Sequence, residues 1–110
     1  MPEMLKELAS TDEWLSVKKL ISGGRKVILV FTATWCKPCE AVYEVIEAVL
    51  ESNPARDILA YKVDVQRFQE VALEYRVLSV PTVIIFNEGR MVFRVAGVPR
   101  EDQIINALQS

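Results

Sequence analysis

A chain of 110 residues, 51% of them hydrophobic, sits near the commonest single-domain size and is long enough for one real core, so residues 1–110 are expected to form one domain. The formal net charge of -2, with lysines and arginines scattered rather than clustered, supplies no basic surface for a phosphate backbone, and nucleic acid is not expected as a partner. The longest apolar run, Val27 to Cys36, is about half of the roughly 20 residues a membrane helix needs, and Glu3, Lys6 and Glu7 interrupt the start before a signal-peptide core could form. A cytoplasmic protein without membrane contact is the expectation.

In chain order, Met4 to Leu8 reads as a short strand, although Leu5 and Leu8 also suit a helix. Ser10 or Thr11 caps a helix that turns Trp14, Val17, Leu20 and Ile21 inward and stops at the Gly23-Gly24 pair. Val27 to Phe31 is continuously apolar and rich in β-branched residues, which predicts a central strand covered on both faces. From Pro38 to about Ser52 the pairs Ala41/Val42, Val45/Ile46 and Val49/Leu50 predict a helix buried on more than one side. Ile58 to Val65 alternates as a strand does, with Lys62 and Asp64 on the face of Ile58 and Ala60. Phe68, Val71, Ala72 and Tyr75 mark a third helix. "TVIIF" and "MVFRV" flank "NEGR" as a hairpin, and Ile104, Ile105 and Leu108 mark a closing helix. The order βαβαβαββα predicts an α/β fold with a mixed five-stranded sheet, four helices on its two faces and right-handed crossovers before the hairpin.

The two cysteines, Cys36 and Cys39, follow the central strand and surround Lys37 and Pro38. A structural zinc site wants four thiolate or imidazole ligands; with no histidine, metal here would need a second chain or carboxylates. A structural disulfide would close a loop of about four residues and contribute roughly 2 kcal/mol before strain. A redox couple accounts for the placement, because the unpaired backbone NH groups and dipole at the start of a helix stabilise a thiolate. Pro38 fits there, since its missing NH costs nothing in a first turn.

At this point the residues resemble the thioredoxin family. "WCKPC" differs from the usual family "WCGPC" only at Lys37, and "YKVDV", "YRVLSVPTVIIF" with Val80-Pro81, the glycine of "NEGR" and "VAGV" with Gly97 follow in the family's order. The resemblance covers nearly the whole chain. It implies a thioredoxin fold and a thiol-disulfide oxidoreductase that reduces disulfide-containing protein substrates. By position, it implies that Cys36 is the exposed nucleophile, Cys39 the buried resolving thiol and Pro81 a cis proline facing them. Trp35 would be a flat contact surface for substrate, and Val80, Pro81, Ala96 and Gly97 would line a shallow apolar groove around Cys36. Recharging is implied to come from a thioredoxin-reductase-type flavoprotein with NADPH. The chain itself carries no glycine-rich phosphate loop, and no cofactor of its own is expected.

Two departures from the family pattern bear on mechanism. The family usually has a buried aspartate six positions before the first cysteine, where Val30 stands, so the resolving thiol lacks an obvious proton acceptor; Glu40, Lys62 or water are the substitutes on offer. Lys37 is the second departure, and Glu44 replaces a kink proline in the following helix. Lys37, Pro38, Val30 and Lys62 are thus the candidate redox-tuning residues, with Lys62 and Asp64 most simply a charged pair at a strand end. "WCKPC" and Val80-Pro81 favour the oxidoreductase, whereas Val30 favours an interaction module with a slow or vestigial couple. A metal centre shared by two chains is the third reading.

Overall fold

The computed structural model describes residues 5–53 and 57–110. Along them run β1 (Leu5–Glu7), α1 (Thr11–Ser22), β2 (Lys26–Thr32), α2 (Pro38–Ser52), β3 (Ile58–Asp64), α3 (Gln69–Glu74), β4 (Thr82–Asn87), β5 (Arg90–Ala96) and α4 (Glu101–Leu108). The strands form one mixed sheet in the order β1-β3-β2-β4-β5, with β1, β3 and β2 paired in parallel and β4 antiparallel to both β2 and β5. The expected α/β architecture of five strands and four helices is the observed one.

β2 is central because six consecutive residues, Val27 to Thr32, are buried, and only a strand covered on both faces can hide them all. Its odd-numbered residues Val27, Leu29 and Phe31 pack under α1 and α3 with Trp14, Val17, Phe68 and Val71. Its even-numbered residues Ile28 and Val30 pack under α2 and α4 with Val42, Ile46, Ile104 and Leu108. The period-two alternation of a strand thus sorts one apolar run into two cores. On the α1 side an aromatic group of Trp14, Phe31, Tyr75 and Phe86 closes the core, with Trp14 and Tyr75 edge to face at 5.9 Å. Burial, and then the neighbouring Glu74 carboxylate, push the Tyr75 phenol up to about 12.

Several boundaries differ from the sequence reading. The first element is a strand, with Leu5 and Leu8 sent to opposite cores; Met4 lies outside the described residues. Leu20 is only half-buried in α1 and Ala41 is exposed on α2, because each helix rests on the sheet along one side. α3 is shorter than expected, Phe68 and Tyr75 serving as its caps. The hairpin strands extend to Asn87 and Arg90, leaving the two-residue turn Glu88-Gly89, both at positive φ (55° and 83°), as a tight hairpin of this hand requires. Lys62 and Asp64 share a face but form no ion pair; Asp64 accepts instead from the backbone NH of Gln66 and Arg67 at 2.8 and 3.3 Å.

Candidate active site

The chain leaves β2 at Thr32 and enters α2 at Pro38, so the cysteines occupy the turn at the carboxyl end of a central strand and the first turn of a helix. Pro38 takes the first helical position and Lys37 the N-cap, with no side chain closing the end. Cys36 N donates to Ala33 O at 3.1 Å and Glu40 N to Lys37 O at 3.1 Å, which tightens the turn. Cys36 and Cys39 are joined by a disulfide, their Cα atoms 5.5 Å apart.

Cys36, expected to be exposed, is only 8% exposed, and Cys39 is 1% exposed. The turn that holds the disulfide packs both cysteines into one buried cluster with Ala33, and Tyr43, Val65 and Val80 pack against that cluster. The expected order of accessibility holds, but Cys36 presents an edge rather than a free side chain. Trp35 is 67% exposed beside it, and a shallow depression of about 210 Å³ runs between Thr34, Trp35, Cys36, Lys37 and Glu40.

The other expected residues converge on the same end of the sheet. Val80 packs on the couple, and the Val80-Pro81 peptide is cis. Pro81 is buried, and its carbonyl accepts from Gly97 N at 2.8 Å, which brings the end of β5 alongside. Ala96 is exposed and stands opposite Thr82. Gly97 has φ 108°, which a larger residue would adopt only with strain, although a Cβ there would meet no atom within 4 Å. The depression beside Cys36 is walled by Thr34, Trp35, Lys37 and Glu40, and Val80 packs against the cluster that holds the couple. A larger cavity of about 510 Å³, between α1 and α3, has none of these residues in its wall.

Val30 is fully buried beneath the first turns of α2, with Lys62 its register partner on β3. Lys62 is half-buried, its Nζ 4.9 Å from the centroid of the Tyr43 ring. The hydroxyls of Tyr43 and Thr32 are hydrogen-bonded to each other. Neither Tyr43 nor Thr32 was singled out from the sequence. The available signal was spacing, since Tyr43 is four residues after Cys39 and therefore on its helix face, and Thr32 shares the strand face of Val30. Among the described residues no group of three or more His, Cys, Asp or Glu is placed to hold a metal ion, and no helix is long and apolar enough to cross a membrane.

Comparison with known proteins adds to this geometry. The thioredoxin family model matches residues 9–110. A thioredoxin-like protein of Synechocystis is 32% identical over 103 residues, covering 93% of this chain and 97% of its own. Thioredoxin H3 of Arabidopsis thaliana is 33% identical over 98 residues, covering 88% and 81%. Among solved structures, thioredoxin O2 of Arabidopsis thaliana in its oxidized state superposes with a TM-score of 0.85 at 26% identity, covering 99% of this chain and 95% of that one. A thioredoxin from Nicotiana alata gives 0.83 at 26% identity, covering 99% and 94%. With two cysteines already bonded at an uncapped helix start in the same fold, the chain belongs to the thioredoxin family and is a thiol-disulfide oxidoreductase.

Proposed function

We propose that this oxidoreductase works mainly as a reductant of disulfide-containing proteins, with residues 1–110 as one working domain, Cys36 as nucleophile and Cys39 as resolving thiol. The observation that carries the reading is the bonded pair at the open end of α2, with Cys36 the more accessible sulfur and Trp35 exposed beside it. In the reduced protein, the Cys36 thiolate attacks one sulfur of the substrate disulfide. That bond breaks, one substrate sulfur leaves as a thiolate, and a mixed disulfide forms. The Cys39 thiolate then attacks Cys36 Sγ, the mixed disulfide breaks, and the second substrate sulfur leaves. Two electrons pass to the substrate, its two sulfurs take up protons, and the pair ends as the disulfide.

Trp35, Val80, Pro81, Ala96 and Gly97 form the substrate contact, and Lys37, Pro38, Val30 and Lys62 set how readily the sulfurs ionise. The pair is recharged by a thioredoxin-reductase-type flavoprotein using NADPH, which makes the protein an electron carrier in cell redox homeostasis. A cytoplasmic workplace suits a chain whose two cysteines are both spent on the couple. Reduction of insulin disulfides tests the reading, first with dithiothreitol and then with NADPH and the flavoprotein. Acceleration in both arms is expected; acceleration with dithiothreitol alone would remove the flavoprotein from the scheme. Val30 favours a second reading, an interaction module with a slow couple, because no acid lies under Cys39 on that strand. The absence of acceleration in both arms would favour that alternative.

A further inference from the structure

Resolution requires a thiolate on Cys39, which is 1% exposed and enclosed by Ala33, Cys36, Tyr43, Val65 and Val80. Apolar surroundings disfavour the charged form of a thiol, so some neighbouring charge or dipole must offset the desolvation. The strands beneath supply no charge there: β2 carries Ile28, Val30 and Thr32 on this face, with the Thr32 hydroxyl tied to Tyr43, and β4 carries Val83 and Ile85. Lys62 supplies one. It stands opposite Val30 on β2 and opposite Glu7 on β1, on the face that α2 covers. Its ammonium lies over the Tyr43 ring at 4.9 Å and takes part in none of the salt bridges among the described residues. Tyr43 itself packs against the cluster of Ala33, Cys36 and Cys39, and its hydroxyl is tied to that of Thr32 at the end of β2. One side chain therefore joins the cluster that holds the couple, the ammonium and the strand that leads into the couple.

We propose that Tyr43 is a positioning residue for the resolving step: its ring holds the Lys62 ammonium next to the buried couple, where the positive charge favours the Cys39 thiolate, and its bond to Thr32 fixes the ring. The inference rests on the resolving role proposed above for Cys39. The other charged or titratable groups on the surrounding elements are Lys6 and Glu7 on β1, Lys26 on β2, Tyr61 and Asp64 on β3, Glu40, Glu44, Glu47 and Glu51 on α2, Lys37 at its N-cap, and Cys36. Asp64 is engaged by two backbone NH groups, and the five glutamates are exposed, where water screens them. In the step itself the Cys39 thiol gives its proton to water, Sγ attacks Cys36 Sγ, the bond between Cys36 and the substrate breaks, and the departing substrate thiolate takes up a proton. Lys62 keeps its proton throughout, so its effect is electrostatic.

Rapid mixing of the reduced protein with an aromatic disulfide, 5,5′-dithiobis(2-nitrobenzoate), separates the steps. The first equivalent of coloured thiolate reports attack by Cys36, and the second reports resolution by Cys39. Lys62→Met is expected to move the pH profile of the second phase upward and slow it about three- to tenfold near pH 7. Tyr43→Leu should do the same, Tyr43→Phe should keep most of the rate because the ring remains, and Lys62→Arg should keep it because the charge remains. The double variant Lys62→Met/Tyr43→Leu should be no slower than Lys62→Met alone, since both remove one effect. An unmoved profile in Tyr43→Leu, or a further full slowing by Tyr43→Leu in the Lys62→Met background, overturns the inference. If a second phase persists in Cys39→Ser, the resolving assignment falls first and takes this inference with it; two normal phases in the parent with unmoved variants overturn the inference alone.

Discussion

At the start of α1, Ser10 Oγ accepts from Glu13 N at 3.1 Å, Glu13 Oε1 accepts from Ala9 N at 2.7 Å, and Asp12 and Glu13 set negative charge against the helix dipole. At the start of α2, Lys37 holds the same N-cap position with no side-chain bond, proline follows, and Glu40 is the one acid of the first turn. The two helix ends have the same kind of backbone donors and the same dipole. In α1 they are consumed by side chains, which favours stability. In α2 no side chain bonds to them, which leaves the dipole of that end to favour a thiolate in the reduced pair, and the Lys37 ammonium at the N-cap adds to the positive potential. A local weakness in capping is thus what suits the second end to thiolate chemistry.

Removing the sulfurs breaks the comparison outright and has the largest expected effect. Cys36→Ser should abolish turnover in insulin reduction, while Cys39→Ser should retain substrate as a mixed disulfide recoverable on a non-reducing gel. Loss of both activities with no trapped adduct would contradict the division of roles. Next in size is Val30→Asp, which places an acid beneath the open end. It should lower stability by about 3 kcal/mol or more, because a charge enters a fully buried site, and it should speed the second phase of exchange near neutral pH while barely touching the first. Denaturant melts and two-phase kinetics together check this, and an unchanged second phase would mean that Cys39 is already fully served.

Ser10→Ala opens the closed end. It should cost about 1 kcal/mol of stability and leave the redox potential where it was, as glutathione equilibration would record. A potential that moved would show the two ends to be coupled. The smallest effect belongs to Lys37→Gly, which weakens the open end. The exposed Lys37 ammonium at the N-cap favours the Cys36 thiolate, so its loss should raise the pH at which that thiol ionises. The thiolate exists only in the reduced form, so the couple should become more reducing, by at most about 30 mV for each pH unit of that rise. Added salt should shrink the shift, since screening acts over about 10 Å at 0.1 M. Thiolate absorbance with and without salt measures it, and a fixed or oppositely moved value would place the lysine's role elsewhere.

Much of this was legible in the residues themselves. The continuous run Val27 to Phe31 could only be hidden by layers on both sides, the alternation and turn glycine around "NEGR" predicted the hairpin, and the position of Cys36 and Cys39 between a buried strand and a helix start pointed to redox chemistry. These features are local: each depends on periodicity or on the chemistry of residues a few positions apart. By contrast, Lys62 was legible as a lysine in a strand but not as the cation over a tyrosine 19 positions earlier, and Lys62 with Asp64 suggested a pair that the chain does not form. Residues on one strand face are about 7 Å apart along the chain, and which of them meets a partner depends on what the covering helix brings down. The same reason governs Cys36, whose nearness in sequence to an exposed tryptophan gave no sign that the turn would bury it in a cluster with Ala33. Sequence alone determined the elements, their order and the reacting atoms, because these follow from short-range pattern and covalent chemistry. The surroundings of those atoms, with Val80 and Tyr43 against the couple and Lys62 beneath α2, were decided only when strands and helices far apart in the chain packed together, since burial and electrostatic neighbourhood are properties of the packed whole.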